Sequence, residues 1–189
     1  MALFGRRIRT PTELRKLLAA DERVLAMAED GPAAVAATQF GLWLPARPEQ
    51  TPGAGSGDPA SFSPGWRRIG WDQVVKATWG EDGLQVIEGV LDERGVVSDL
   101  PTLTLRLAEP RTLPAVVKTR IEASIARWEQ VRVPGGTARI VARRRPGTDG
   151  LLWTARLDTG TPDSPGAREA LLGYLDRVAR QVSEQPFSN

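Results

Sequence analysis

The 189-residue sequence contains neither cysteine nor histidine. Without cysteine the chain has no disulfide framework, no thiolate nucleophile and no thiolate metal ligand. Without histidine it lacks the commonest general base, the imidazole of Ser-His-Asp and Cys-His systems, and the commonest transition-metal ligand. These two absences exclude most familiar catalytic and metal chemistry, and we expect no cofactor.

Long apolar runs are missing as well. No stretch reaches the roughly 20 apolar residues that a membrane-spanning helix requires, and the basic N-terminus lacks the apolar segment of a secretory signal. We therefore expect a soluble, cytoplasmic protein with no transmembrane segment. An apolar content of 41% and a charged content of 25% are typical of a folded globular chain.

Charge is unevenly distributed, although the net charge is only +2. Residues 1–20 hold five basic side chains against one acid, and residues 72–99 hold seven acids against two basic groups. Residues 132–156 hold six arginines against Asp149. Such blocks predict separate basic and acidic surfaces, although a charge cluster most often forms a solvated face.

The first two thirds of the chain carry strand signals. A basic arm and a short helix starting at Pro11 occupy residues 1–20, with Thr10 as the N-cap. Seven apolar or alternating stretches then predict β-strands. They cover residues 23–28, 33–38, 40–44, 66–69, 74–79, 84–90 and 103–107. The segment 45–65 is rich in glycine and proline, which predicts a flexible loop with Phe62 as its one apolar anchor.

Helical spacing follows these strands. Apolar residues recur at intervals of three and four from Leu113 to Trp128, which predicts an amphipathic helix that ends before the turn at Pro134. Two further strands, at 139–145 and 151–158, and a helix after Pro165 form a predicted ββα unit over residues 134–189. The last five residues are expected to fray.

Seven strands followed by one amphipathic helix is the element order of a pleckstrin-homology-like (PH-like) barrel, and short motifs agree. Val35-Ala-Ala-Thr followed by Gly41-Leu-Trp-Leu resembles the second and third strands of bacterial PH-like and GRAM-type domains. Arg68-Ile-Gly-Trp-Asp-Gln-Val resembles their strand, Trp-Asp, strand segment. The chain is thus similar to a group of uncharacterised actinobacterial proteins with such a domain and a C-terminal ββα extension. The resemblance implies an α+β protein whose seven-stranded β-barrel, residues 21–133, is capped by the helix.

Three functions stay open at this point. PH-like barrels dock lipids, peptides and proteins and share no catalytic site, so the leading hypothesis is a non-catalytic docking module that binds a protein partner or itself. The second is a nucleic-acid-binding accessory protein that uses the N-terminal arm and the arginine-rich C-terminal hairpin. The third is a carboxylate-dependent enzyme that uses Asp72, Glu88 and Asp99, although Asp72 also suits a structural turn. Most of the six tryptophans are expected in the core, with Trp66 as the best candidate for exposure.

Strand alternation points to one candidate binding face. Arg139, Arg143 and Arg145 are expected on one side of their strand, and Arg156 on the same side of the partner strand. These four arginines form either a solubilising face partly paired with acids, which is the commoner case, or a site for a polyanion. Its ligand would be nucleic acid or an acidic protein surface, including the 72–99 stretch of a second copy.

Overall fold

The computed structural model describes residues 9–30, 33–46, 65–107 and 110–184. Within them lie three α-helices and eleven β-strands. The elements are α1 (Thr12–Leu17), β1 (Val24–Asp30), β2 (Ala33–Thr38), β3 (Gly41–Pro45), β4 (Trp66–Gly70), β5 (Val74–Gly80), β6 (Gly83–Leu91), β7 (Val97–Asp99), β8 (Leu103–Leu105), α2 (Leu113–Ser124), β9 (Ile125–Val133), β10 (Gly136–Arg144), β11 (Leu151–Leu157) and α3 (Pro165–Glu184).

Strands β1 to β4 form the first antiparallel sheet in chain order. Alternate residues of β2 point to opposite faces, so Val35 and Ala37 enter the main core while Ala36 faces the other side. On that other side Ala36 and Trp43 pack against Leu14 of α1, which is fully buried. The short helix therefore covers the outer face of the first sheet.

The second sheet has the order β5-β6-β7, and β8 also pairs with β6. Strands β5 and β6 are joined by a tight hairpin that requires a glycine, since Gly83 has a φ of +106°. Apolar side chains from both sheets, among them Leu42 and Val86, form one core with Leu113 and Val117 of α2. Helix α2 thus packs against a core that the two sheets share.

The third sheet has the order β11-β10-β9 and is covered on one face by α3. Ile140 of β10 and Ala155 of β11 are fully buried against Leu171 of the helix. A parallel bridge between Val96 and Ala155 connects this sheet to the chain just before β7. The C-terminal sheet therefore has its own core but contacts the N-terminal part of the fold.

The α+β class is confirmed, whereas the seven-stranded PH-like barrel is not. The strands form three separate antiparallel sheets, and the described residues contain no closed barrel. All seven predicted stretches lie largely within strands, and β7 is an additional short strand.

The predicted helix to Trp128 is wrong beyond Ser124, where the chain enters β9. Pairing with β10 buries Val131 and Val133 against α3, and this tertiary contact outweighs the helical spacing of the preceding residues. The C-terminal sheet therefore has three strands instead of the expected two, and the boundary drawn after residue 133 lies in the β9–β10 hairpin.

Several expectations concern residues outside the described ranges. They are the basic arm at 1–8, most of the 45–65 loop including Phe62, and the tail at 185–189. Among the described residues, none of the helices combines the length and the apolar character needed to cross a bilayer.

Candidate functional site

Two of the four predicted arginines lie on the exposed face of the third sheet and are paired with acids. Arg139 Nε lies 3.0 Å from Asp158 Oδ1. Arg156 Nε donates to Asp99 Oδ1 at 2.7 Å, and its Nη2 donates to Asp99 Oδ2. Asp99 belongs to the acidic stretch of the same chain. The stretch suggested as a ligand from a second copy is therefore bound, at this point, within one molecule.

The pKa of Asp158 shows how closely this face is bonded. Burial raises the pKa of this carboxyl, but hydrogen bonds from Gln130 and Thr137 and the charges of Arg139 and Arg156 outweigh burial and lower it below its ordinary value. The two hydrogen bonds measure 2.8 and 2.7 Å. Asp158 therefore joins side chains from β9, β10 and β11 on one face.

The other two predicted arginines contact the Trp-Asp segment. Arg145 is half exposed, and its Nε lies 3.2 Å from Asp72 Oδ2. Arg143 is only 8% exposed, and its Nη1 donates to the Trp71 carbonyl at 3.2 Å and to Ser124 Oγ at 3.0 Å. Burial lowers the pKa of Arg143, and the charge of Asp72 partly opposes that change.

The expectation that Arg143 shares an exposed face with its neighbours is therefore wrong. The β9–β10 register shift between Ala142 and Arg143 skips a residue of β9, whereas β10 keeps its regular register with β11 up to Arg144. Arg143 therefore stays on the side of Arg139, but that side is covered here by Trp71 and Ser124, and Arg143 acts as a buried hydrogen-bond donor between the third sheet and α2. On β11, Ala155 and its neighbour Thr154 are both buried, although they lie on opposite sides of the strand.

The carboxylates considered for catalysis are each bonded to a separate arginine. Asp72 and Asp99 pair as described above, and Glu88 Oε2 lies 2.6 Å from Arg67 Nη1. Within the described part of the chain, no group of three or more acidic side chains is placed to hold a metal ion.

A second polar cluster surrounds Glu22, a residue that the sequence did not single out. Its carboxylate accepts from Thr38 Oγ1 at 2.6 Å, Trp43 Nε1 at 2.8 Å, the Ala19 amide at 3.2 Å and Arg68 Nη1 at 3.1 Å. Burial raises the pKa of Glu22, but these hydrogen bonds and the charge of Arg68 outweigh burial and lower it. The cluster fixes the start of β1 to β2, β3 and β4.

A surface groove of about 650 Å³ runs along the exposed side of α3. Charged side chains line it, among them Arg94, Arg168 and Glu169. Arg168 forms two hydrogen bonds to Asp163, at 2.5 and 2.7 Å. It also forms an ion pair with Asp92 at 3.8 Å. The charge of Arg168 is therefore already compensated by two acids of the same chain.

The tryptophans divide into buried and exposed residues. Trp43 and Trp71 are buried, whereas Trp66 and Trp153 are partly buried and pack against core clusters, so Trp66 is not the exposed exception. The exposed ones are Trp79, at 43%, and Trp128, at 60%. The guanidinium of Arg139 lies 5.8 Å from the centre of the Trp128 ring, within range of a cation–π contact.

Trp128 belongs to β9, an edge strand of the third sheet. Thr137 of β10 lies opposite Arg132 of β9. Its backbone contacts show which residue pairs of the β9–β10 ladder are hydrogen-bonded. The Thr137 amide donates to Thr161 Oγ1 at 3.0 Å, and its carbonyl accepts from the Asp158 amide at 2.9 Å. Both groups point away from β9, so residues 132 and 137 form a non-hydrogen-bonded pair.

Hydrogen-bonded and non-hydrogen-bonded pairs alternate along an antiparallel ladder. Gln130 opposite Arg139, and Trp128 opposite Val141, are therefore non-hydrogen-bonded pairs as well. The amide and carbonyl groups of Trp128, Gln130 and Arg132 point toward the side of β9 with which no strand of the described residues pairs. We call these three residues, with their outward backbone groups, the β9 edge.

Comparisons with models of protein families, with curated proteins and with solved structures found no match for this chain.

The sequence did not predict the β9 edge because Ile125 and Trp128 continue the helical spacing of α2. Two signals pointed to it: Val131 and Val133 alternate with polar residues, and Pro134-Gly135 is a short hairpin turn.

Proposed function

We propose that this chain is a non-catalytic docking module that binds an extended protein segment by β-strand addition at the β9 edge. The observation that carries the proposal is an exposed tryptophan on an edge strand whose neighbouring backbone groups point outward. In strand addition, main-chain hydrogen bonds supply affinity and side-chain contacts supply specificity.

Trp128 suits the role of an anchor. A tryptophan offers a large apolar area with few rotatable bonds, and such side chains are common among the residues that dominate binding energy. Most of the Trp128 surface stays open even though Arg139 lies over its ring. A bound strand would cover this surface and pair the outward groups of β9.

The arrangement of the arginines supports docking over nucleic-acid binding. Arg139, Arg145 and Arg156 each pair with a carboxylate of the same chain, and Arg143 points into the fold. Affinity for a polyanion depends on cations that can replace its counterions. Charges already compensated by internal carboxylates contribute less to that exchange.

A relation to PH-like domains remains part of the proposal. It is supported by the element order from β1 to α2 and by the core that two sheets share with α2. A docking function agrees with the range of ligands such domains bind, and a cytoplasmic location stays a prediction from the sequence.

The proposal can be tested by selecting phage-displayed random peptides on the immobilised protein. We expect enriched peptides with alternating side chains whose binding is lost in Trp128→Ala and in Arg132→Pro, which removes one outward amide from the edge. Trp79→Ala, which removes an exposed tryptophan of the second sheet, is the matched control and should bind normally. Circular dichroism establishes that each variant is folded. If no peptide is enriched, or if the three variants bind alike, the β9 edge is not a docking site.

A further inference from the structure

We propose that the occupant of the β9 edge is a second copy of this chain, whose β9 pairs antiparallel across a two-fold axis at Gln130. This inference rests on the proposed docking function and identifies its partner. It predicts a symmetric dimer in which the two C-terminal sheets form one continuous sheet of six strands, three from each copy.

The order of side chains along the β9 edge is self-complementary about Gln130. With the axis there, Trp128 lies opposite Arg132 of the second copy, and Gln130 lies opposite its own equivalent. All of these residues direct their amide and carbonyl groups outward, so the three pairs exchange about six backbone hydrogen bonds. Each tryptophan also faces a cation, which adds a cross-strand cation–π contact.

The other face of β9 fits the same register. Glu129 lies opposite Val131 of the second copy, and Arg127 lies opposite Val133. No charge faces a charge of the same sign, although edge strands commonly carry charges that prevent such pairing. The charged residues of β9, Arg127, Glu129 and Arg132, therefore permit self-pairing in this register.

Neighbouring registers are less favourable. An axis at Glu129 places this carboxylate opposite itself. An axis at Val131 places Trp128 opposite Pro134, which has no amide, so only Gln130 and Arg132 exchange backbone hydrogen bonds, about four instead of six. An axis at Arg132 places this arginine opposite itself. An axis at Trp128 brings the second strand alongside the irregular stretch where the β9–β10 register shifts, next to the end of α2 at Ser124. Of the registers without a like-charge contact in the regular part of the strand, the axis at Gln130 forms the most backbone hydrogen bonds.

The absence of cysteine from the chain permits a direct test of the register. In the proposed dimer the two Gln130 Cα atoms are about 5.5 Å apart, within the range that a disulfide bridges. The two Arg132 Cα atoms are separated by about four residues of strand, or roughly 13 Å, which no disulfide spans. Under mild oxidation Gln130→Cys should form a covalent dimer at least about tenfold faster than Arg132→Cys.

Sedimentation equilibrium of the wild-type chain provides the second measurement. We expect a mass that rises with concentration toward twice that of the chain, and a dissociation constant at least about tenfold weaker in Arg132→Glu, which removes the cation facing each tryptophan. Circular dichroism again confirms folding. A wild type that stays monomeric, or equal cross-linking by the two cysteine variants, overturns the inference. A monomer that still binds selected peptides through Trp128 refutes the second copy as the occupant and leaves the docking function intact, whereas a monomer that binds none refutes both.

Discussion

Glu22→Gln is the most informative test of what holds the N-terminal sheet in place. The side chain of Glu22 is fully buried, and its carboxylate accepts four hydrogen bonds. Glutamine has nearly the same shape, so its carbonyl oxygen can keep the bonds from Thr38 and Trp43. Its amide nitrogen then meets the Ala19 amide and Arg68, which are both donors. The substitution therefore changes the hydrogen bonding without creating a cavity.

The loss of stability in Glu22→Gln depends on two donors, the Ala19 amide and Arg68, which lose their anionic acceptor. A hydrogen bond to a charged group contributes about 1.5 to 3 kcal/mol, and an unsatisfied buried donor costs about 1 to 3 kcal/mol. Arg68 is partly exposed and can bond to water, which reduces its share. We expect a loss of roughly 2 to 4 kcal/mol in the free energy of unfolding at neutral pH.

The pH dependence gives an independent check. Because the pKa of Glu22 is lowered on folding, its ionised form stabilises the fold above the ordinary pKa of 4.5, and this contribution is lost as the pH falls through the folded value. The gap between wild type and Glu22→Gln should therefore be constant near neutrality and narrow below that ordinary pKa. Urea unfolding followed by tryptophan fluorescence at several pH values measures both quantities.

Glu29→Gln, which alters an exposed carboxylate on β1, is the matched control. We expect it to change the free energy of unfolding by less than about 0.5 kcal/mol at neutral pH. A similarly small loss in Glu22→Gln, or a gap that stays constant into the acid range, would show that the buried carboxylate is not ionised and bonded as described.

Three further substitutions test other parts of the fold by the same urea assay. Gly83→Ala should lower the free energy of unfolding by at least about 2 kcal/mol, because Gly83 has a positive φ and a Cβ there would overlap the backbone of Leu105. Gly80→Ala in the same hairpin places its Cβ in open space and should cost less than about 1 kcal/mol. Arg143→Met should lose about 2 to 3 kcal/mol by leaving buried acceptors unpaired, against less than about 1 kcal/mol for Arg145→Met, and equal losses would contradict the burial of Arg143. Asp158→Asn should lower the free energy of unfolding by about 1 to 2 kcal/mol at neutral pH. Because folding lowers the pKa of this carboxyl, the difference between wild type and variant should narrow below the ordinary pKa of 3.8. A difference that does not change with pH would contradict the bonding of Asp158.

Local sequence patterns predicted most of the strands because each is an apolar run or alternates with polar residues. Strand β2 is an unbroken run of small apolar residues that ends at Thr38, and the β5–β6 hairpin carries the Gly83 turn. Strand β7 was missed because three residues, Val97 to Asp99, are too few to show a period. Its position depends on pairing with β6, which is a long-range contact that no local pattern records.

The candidate arginine face shows a different limit. Alternation correctly placed Arg139 and Arg156 on one side of the sheet, but it did not show that Trp71 and Ser124 cover Arg143 on that side. Which end of a sheet face is buried depends on long-range contacts, and nothing in a run of three consecutive arginines marks them. The pairing of Asp72 with Arg145 joins residues 73 positions apart, so the sequence showed both charge blocks but not their contact.

Trp128 marks the point where sequence and structure differ most in their consequences for function. If residues 113–128 formed one helix, Trp128 would continue the apolar stripe that begins at Leu113 and would face the core. In β9 the same residue faces solvent, because burial of Val131 and Val133 against α3 fixes which side of the strand is covered. An exposed aromatic side chain on a strand edge that no described strand pairs with favours association with another chain. Natural edge strands usually avoid this by carrying charges, and β9 carries them in an order that a second β9 can match. The function proposed here therefore depends on a single change of period, from helix to strand, at Ile125.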